Sequence, residues 1–194
     1  MIARIMTGYD RVVGTLQRYL DDDFFGLAAR FVFLAVLFVY YINSAMTKVG
    51  DGIAGFFSVQ PGAYMQIVPP VMEGAGFDPS QVAFFPWQII VVLGTYSEFL
   101  LPILIVIGLF TRLAALGMIV FVVVQSYVDV AFHGADERTI GALFDRFPDA
   151  AIMDQRLLWV FVLSVLVIKG GGLLSLDKLL RRIVPMRHPD PART

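Results

Sequence analysis

Glu98 is the residue in this sequence best placed to do chemistry. It lies within Trp87–Leu116, WQIIVVLGTYSEFLLPILIVIGLFTRLAAL, and is the only charged residue there before Arg112. The run is long enough to cross a bilayer as a helix. An acidic group near its middle costs about 2.5–3.5 kcal/mol on insertion scales, so it requires a partner, a proton or a water-lined cavity. A carboxyl held there can exchange protons or hydrogen-bond a ligand; equally, it can be a protonated structural Glu inside a bundle. Pro102 follows four residues later. It has no N–H to give to the Glu98 carbonyl, so a kink is expected at this level. Gly94, Glu98, Leu101, Ile105, Gly108 and Arg112 recur at helical spacing. Small residues on such a stripe let helices approach closely, so the stripe is expected to face other helices.

Partners for Glu98 can be sought by depth. The second apolar run is read as residues 84–110, and Thr111-Arg112 as a tight turn into a third run, 113–130. Glu98 lies about as far before this turn as Gln125 lies after it, about 20 Å along each helix at 1.5 Å per residue. Gln125 is therefore the first candidate for a hydrogen bond to Glu98, with Ser126, Tyr40, Tyr41 and Tyr96 behind it. Together Glu98, Gln125, Tyr40, Tyr41 and Tyr96 form the candidate ligand-binding or proton-exchange set. No residue is assigned a catalytic role.

Composition narrows the chemistry. Of 194 residues 58% are hydrophobic and 16% charged, with a mean hydropathy of +0.75. Soluble domains carry about 25% charged residues, so this is the composition of a polytopic membrane protein. A net charge of −1 supplies no bulk positive field for nucleic acid. The absence of cysteine removes a dithiol relay or an iron–sulfur cluster built by this chain alone. The two histidines, His133 and His188, lie outside the apolar runs, which excludes a bis-His haem within the membrane. His133 with Asp136 and Glu137 resembles metal ligands in type only, and no metal site is expected. No glycine-rich dinucleotide fingerprint or nucleophile–base pair is present. Any electron carrier must then be a lipid-soluble quinone or belong to a partner; a quinone needs an apolar slot with one or two polar groups at its carbonyls.

The elements that must position these residues follow from hydropathy. Residues 1–23 predict an amphipathic helix ended by Asp21, Asp22 and Asp23. Its apolar positions recur at helical period, and Arg4, Arg11 and Arg18 lie elsewhere on the wheel. The segment lacks the continuous apolar core of a signal peptide and is expected to be retained at the membrane surface. Residues 24–180 form one membrane domain with spans at 27–46, 84–110, 113–130 and 157–174. Residues 47–83 and 131–156 are long loops. The first is expected to fold into short helices over one mouth of the bundle, and the second to hold a short helix from Thr139 to Phe147. Residues 181–194 are a basic tail. The predicted fold is therefore all-α, a four-helix membrane bundle with an N-terminal interfacial helix and two long extracytoplasmic loops. Eleven Lys and Arg fall on the side of the termini and of Arg112, and four on the other, Lys48, Arg138, Arg146 and Arg156. The positive-inside rule then puts both termini in the cytoplasm.

Several motifs now line up in order. Glu98 followed by Gly108-Leu109-Phe110-Thr111-Arg112-Leu113-Ala114-Ala115-Leu116 resembles the E…GLxTRxAAL signature of the DoxX family. Lys48 stands where the family has a Lys after the first span, and Ser44 where Gly is common. Gly170-Gly171-Gly172-Leu173-Leu174-Ser175-Leu176-Asp177 is similar to the family's GPGxxSLD ending, with Gly171 in place of Pro. The structural motif residues are thus Lys48, Pro102, Gly108, Thr111, Arg112, Gly170, Gly172, Ser175 and Asp177. The resemblance covers about residues 25–180. It implies a four-helix protein of the bacterial inner membrane and association with membrane oxidoreductases, among them a thiosulfate:quinone oxidoreductase.

Three roles follow. The first is an accessory or anchoring subunit of a quinone-linked membrane redox complex, with a polar pocket around Glu98 and a membrane or soluble redox-protein partner. The second is a structural or assembly adaptor without ligand, in which Glu98 and Arg112 hold the bundle together. The third is a small-solute or proton transporter, for which four spans are few and no pair of broken helices is evident. A homo-oligomer is compatible with each.

Overall fold

The computed structural model describes residues 2–20 and 22–183. The tail residues Arg187, His188 and Arg193 lie outside these, as do the side chains of Arg4, Arg11 and Arg18. Among the described residues, four helices are long and apolar enough to cross a membrane: Asp22–Met46, Phe84–Ile107, Thr111–Ala131 and Ala151–Lys169. They are called the first to fourth spans below. A helix from Ile2 to Tyr19 precedes them and one from Leu176 to Ile183 follows.

Local chemistry sets the ends of the spans. Asp22 and Asp23 occupy the first turn of the first span, where carboxylates complement the helix dipole. Gly108, at φ +72°, takes the left-handed conformation that closes the second span. The turn into the third span is Gly108 to Phe110, and Thr111 already belongs to the helix, so the turn sits earlier than the sequence suggests. The fourth span is also displaced, to 151–169 instead of 157–174. Its start extends backward because Asp154 accepts the Ala150 N–H at 2.9 Å and Arg156 finds partners inside the bundle. It ends early because Gly170 and Gly172 both adopt positive φ, which leaves Leu173 and Leu174 beyond the helix.

The spans pack around one apolar core that includes Phe33, Leu37, Tyr41, Ile105, Met118, Leu163 and Leu166. Glycine permits the closest crossing. A Cβ on Gly26 would lie 2.5 Å from the Gly170 carbonyl oxygen, and one on Gly172 would lie 2.3 Å from both Asp23 O and Leu27 N. The outer faces stay apolar: Phe31, Val36, Leu93, Leu100, Val120, Val123, Leu158 and Phe161 are all exposed. On a water-soluble chain this would be a liability; on a spanning one it is the surface that meets lipid.

The connection 47–83 is a helical layer. It contains Gly52–Phe56, Pro61–Ile67 and Pro69–Gly74, then a 3-10 turn at Pro79–Gln81. Ala63, Tyr64, Val68, Met72 and Val82 make a small core with Val91 of the second span. In the 132–150 connection the helix is Glu137–Ile140 and does not extend from Thr139 to Phe147, because Gly141 at φ +73° ends it. Asp136 caps it by accepting the Thr139 N–H at 2.7 Å, which holds its carboxyl below the usual range.

Candidate functional site

The partner of Glu98 is Lys48. Lys48 Nζ lies 2.7 Å from Glu98 Oε2, and each residue is only 3% exposed. Lys48 follows directly on the first span, and its side chain turns back along it. The Nζ donates to the Ser44 carbonyl at 3.1 Å and to Ser44 Oγ at 3.0 Å. The Ser44 hydroxyl in turn donates to Glu98 Oε1 at 3.3 Å. Two charges that would each be costly in the bundle thus neutralise one another, and the serine ties them to the first helix. Gln125 does not bond Glu98. It donates to Tyr40 OH at 3.0 Å and accepts from Tyr41 OH at 3.4 Å. Equal distance from the turn placed Gln125 at the right level but ignored direction around the helix, and a cation outcompetes an amide for a buried carboxylate.

The candidate residues otherwise divide. Tyr41 is fully buried and packs edge-on against Phe121. Tyr40 is partly exposed and stacks near Trp159. Tyr96 leaves the set: its hydroxyl donates to the Phe56 carbonyl at 2.9 Å, which fastens the outer helical layer to the second span. Ser126 accepts from Arg156 Nη1 at 3.0 Å rather than serving Glu98.

Glu98, Lys48, Ser44, Tyr40 and Gln125 line one cavity of about 870 Å³ between the second and third spans. Leu101, Leu116, Val120, Phe121 and Val124 supply much of its apolar wall. Gly94 and Gly117 sit on it as well; their missing side chains make room for Ile67 and Leu101, each 3.1 Å from where a Cβ would stand. Asp129 and His133 line the far end. There Arg156 Nη2 contacts Asp129 Oδ2 at 2.5 Å, and His133 Nδ1 lies 3.0 Å from Asp129 Oδ1. Sequence reasoning missed this cluster. The available signal was Asp129 near the end of one apolar run and Arg156 at the start of the next, a charge pair across neighbouring antiparallel spans.

The opposite end of the bundle carries the remaining motif residues. Arg30, 8% exposed, donates through Nε to Ile105 O at 3.0 Å and through Nη2 to Val106 O, carbonyls at the end of the second span. Its Nη1 donates to Gly171 O at 2.9 Å and Leu174 O at 3.1 Å. A cation on helix-terminal carbonyls satisfies groups that lack an intrahelical donor. Asp177 does the converse for the third span. Its carboxylate accepts from Phe110 N at 2.8 Å, Thr111 N at 2.9 Å and Thr111 Oγ1 at 2.7 Å. Gly108 packs under Ser175, whose Cβ would be 2.6 Å from a Cβ there. Arg112, by contrast, is exposed, and among the described residues it forms no ion pair. Pro102 is buried within the second span.

These features define a polytopic helical membrane protein with a buried ion pair at the wall of a cavity between its helices. Residues 25–134 match the family model DoxX, and the chain belongs to the DoxX family. The matched residues take in Lys48, Glu98 and Thr111–Leu116; the Gly170–Asp177 ending lies beyond them. No curated protein and no solved structure matches the chain.

Proposed function

We propose that this protein is an accessory or anchoring subunit of a membrane redox complex and that its cavity holds a quinone-sized, lipid-soluble ligand beside the Lys48–Glu98 pair. One observation carries the reading: a cavity of about 870 Å³ with an apolar wall and a few convergent polar groups, set among membrane spans. The residues fit the group. Leu101, Leu116, Val120 and Phe121 suit a ring and its tail, while Gln125 and Tyr40 bring polar groups to the same space, across from the Lys48–Glu98 pair. A quinone would supply two-electron, two-proton chemistry. The chain's own contribution is to orient the ring, exclude bulk water and keep a carboxylate, Glu98, that can exchange a proton.

The charge distribution supports an orientation with both termini cytoplasmic and the 47–83 and 132–150 connections outside, in a bacterial inner membrane. The Ile2–Tyr19 helix then lies on the cytoplasmic surface.

The test is to purify the chain in mild detergent, extract it and assay the extract for quinone by mass spectrometry, then titrate the stripped protein with a short-chain quinone. Val120→Trp, which fills the cavity from its lipid-facing wall, and Gln125→Leu are expected to reduce binding with thermal stability retained. A folded wild-type chain that neither carries nor binds quinone would refute the reading. If it still co-purifies a stoichiometric protein partner, the ligand-free adaptor replaces it.

A further inference from the structure

A second cavity, of about 500 Å³, opens at the end of the bundle away from the outer helical layer. It lies where the third span begins and the fourth ends, and Arg112, Lys169, Lys178, Arg181 and Arg182 converge on it. Its acids are already engaged. Asp23 pairs with Lys178, and both Asp177 oxygens are taken by the Phe110 and Thr111 groups. Lys169 pairs with Asp22 at 2.5 Å, beside the cavity. Among the described residues, Arg112, Arg181 and Arg182 have no ion-pair partner. Three guanidinium groups therefore face a space whose carboxylates are spent. Gly170 to Gly172 contribute a floor without side chains.

The surroundings of this positive site are apolar. Leu113 and Phe110 are exposed on its lining. Leu176, Leu179, Leu180 and Ile183 are exposed on the short helix that carries Arg181 and Arg182. That helix has its leucines and its arginines on different faces, the pattern of a segment resting at the boundary between headgroups and acyl chains. A ligand suited to both parts has a phosphate for the guanidinium forks and a hydrocarbon tail for the rim.

We propose that this cavity binds the phosphodiester headgroup of an anionic phospholipid, held by Arg112, Arg181 and Arg182, with its acyl chains along Leu113 and the third span. A basic pocket between helices at the membrane edge is suited to such headgroups. The site is separate from the Glu98 cavity, so it stands whether or not that one holds a quinone.

The experiment uses the full chain in mild detergent and native mass spectrometry with added phosphatidylglycerol or phosphatidylcholine, and with inorganic phosphate as competitor in excess. Retention of phosphatidylglycerol but not phosphatidylcholine, undiminished by phosphate, is the expected result. The triple variant Arg112→Gln/Arg181→Gln/Arg182→Gln is expected to lower that retention by about tenfold or more. The exposed double variant Arg181→Gln/Arg182→Gln is expected to give an intermediate loss even if the triple variant is not recovered folded. Equal retention of the two lipids, or unchanged retention in the double variant, overturns the proposal. Displacement by inorganic phosphate would assign the site to free phosphate and overturn the lipid.

Discussion

The Lys48–Glu98 pair makes a prediction whose size follows from its geometry. At 2.7 Å and an effective dielectric of about 20, the attraction between the two charges is about 6 kcal/mol. Removing each from water costs several kcal/mol, so the intact pair contributes little net stability. Deleting one member forfeits the attraction and leaves the other charge buried, at a cost of about 3–5 kcal/mol. For a chain of this length that corresponds to a fall in the unfolding midpoint of about 6–20 °C, at about 2–4 °C per kcal/mol. Glu98→Gln and Lys48→Met should each show it in detergent, followed by the fluorescence of Trp87 and Trp159. The double variant Lys48→Met/Glu98→Gln removes both charges and should recover most of the loss. Losses that simply add in the double variant, or single variants that melt with the wild type, would refute the claim that the two side chains form one buried unit.

Other parts of the structure are open to equally direct tests. Gly108→Ala should destabilise the bundle by about 1 kcal/mol or more, since φ is +72° and the new Cβ would meet Ser175; the melting midpoint reads this. Asp177→Ala removes the acceptor of three hydrogen bonds and should cost about 0.5–2 kcal/mol, seen as faster hydrogen exchange at Phe110 and Thr111. Arg30→Met removes the side-chain donor to Val106 O, Gly171 O and Leu174 O and should cost about 1.5–3 kcal/mol or more in thermal unfolding. Asp136 is held below the ordinary carboxylate range by the Thr139 N–H. Its contribution is therefore present above the unfolded-state value and is lost as pH falls through the lower folded one. The Thr139 amide resonance should follow that titration, and Asp136→Asn should abolish the dependence.

Hydropathy made the four spans legible because lipid demands long uninterrupted helices, a one-dimensional property. The second span ends within three residues of its expected position, at a glycine whose role is local. The fourth span starts earlier than hydropathy implies, at Ala151, because a polar residue does not mark its start. Arg156 is polar yet sits inside the helix, since Asp129 and Ser126 on the neighbouring span receive it. A charge that is paired across two helices reads in sequence as a loop residue. Arg30 is a second case: a charge inside the first span that is held by carbonyls at the end of the second.

Glu98 shows why a candidate site was only half legible. Its depth was readable by counting from the turn, and Gln125 indeed borders the same cavity. Its partner was not, because Lys48 belongs to the connection beyond the first span and reaches back to the Ser44 level. Distance along an axis cannot report a side chain that folds back on its own helix. The charge argument asked only for a partner, a proton or a water-lined cavity, and it left the cation just beyond the first span unconsidered. The cavity lies beside the Lys48–Glu98 pair: Glu98, Lys48 and Ser44 stand on its lining together with Gly94 and Gly117, whose missing side chains make room for Ile67 and Leu101. A ligand there would meet a pair whose hydrogen bonds are already made by Ser44, so recognition must come from the wall's shape and from Gln125 and Tyr40, the polar groups on its opposite side.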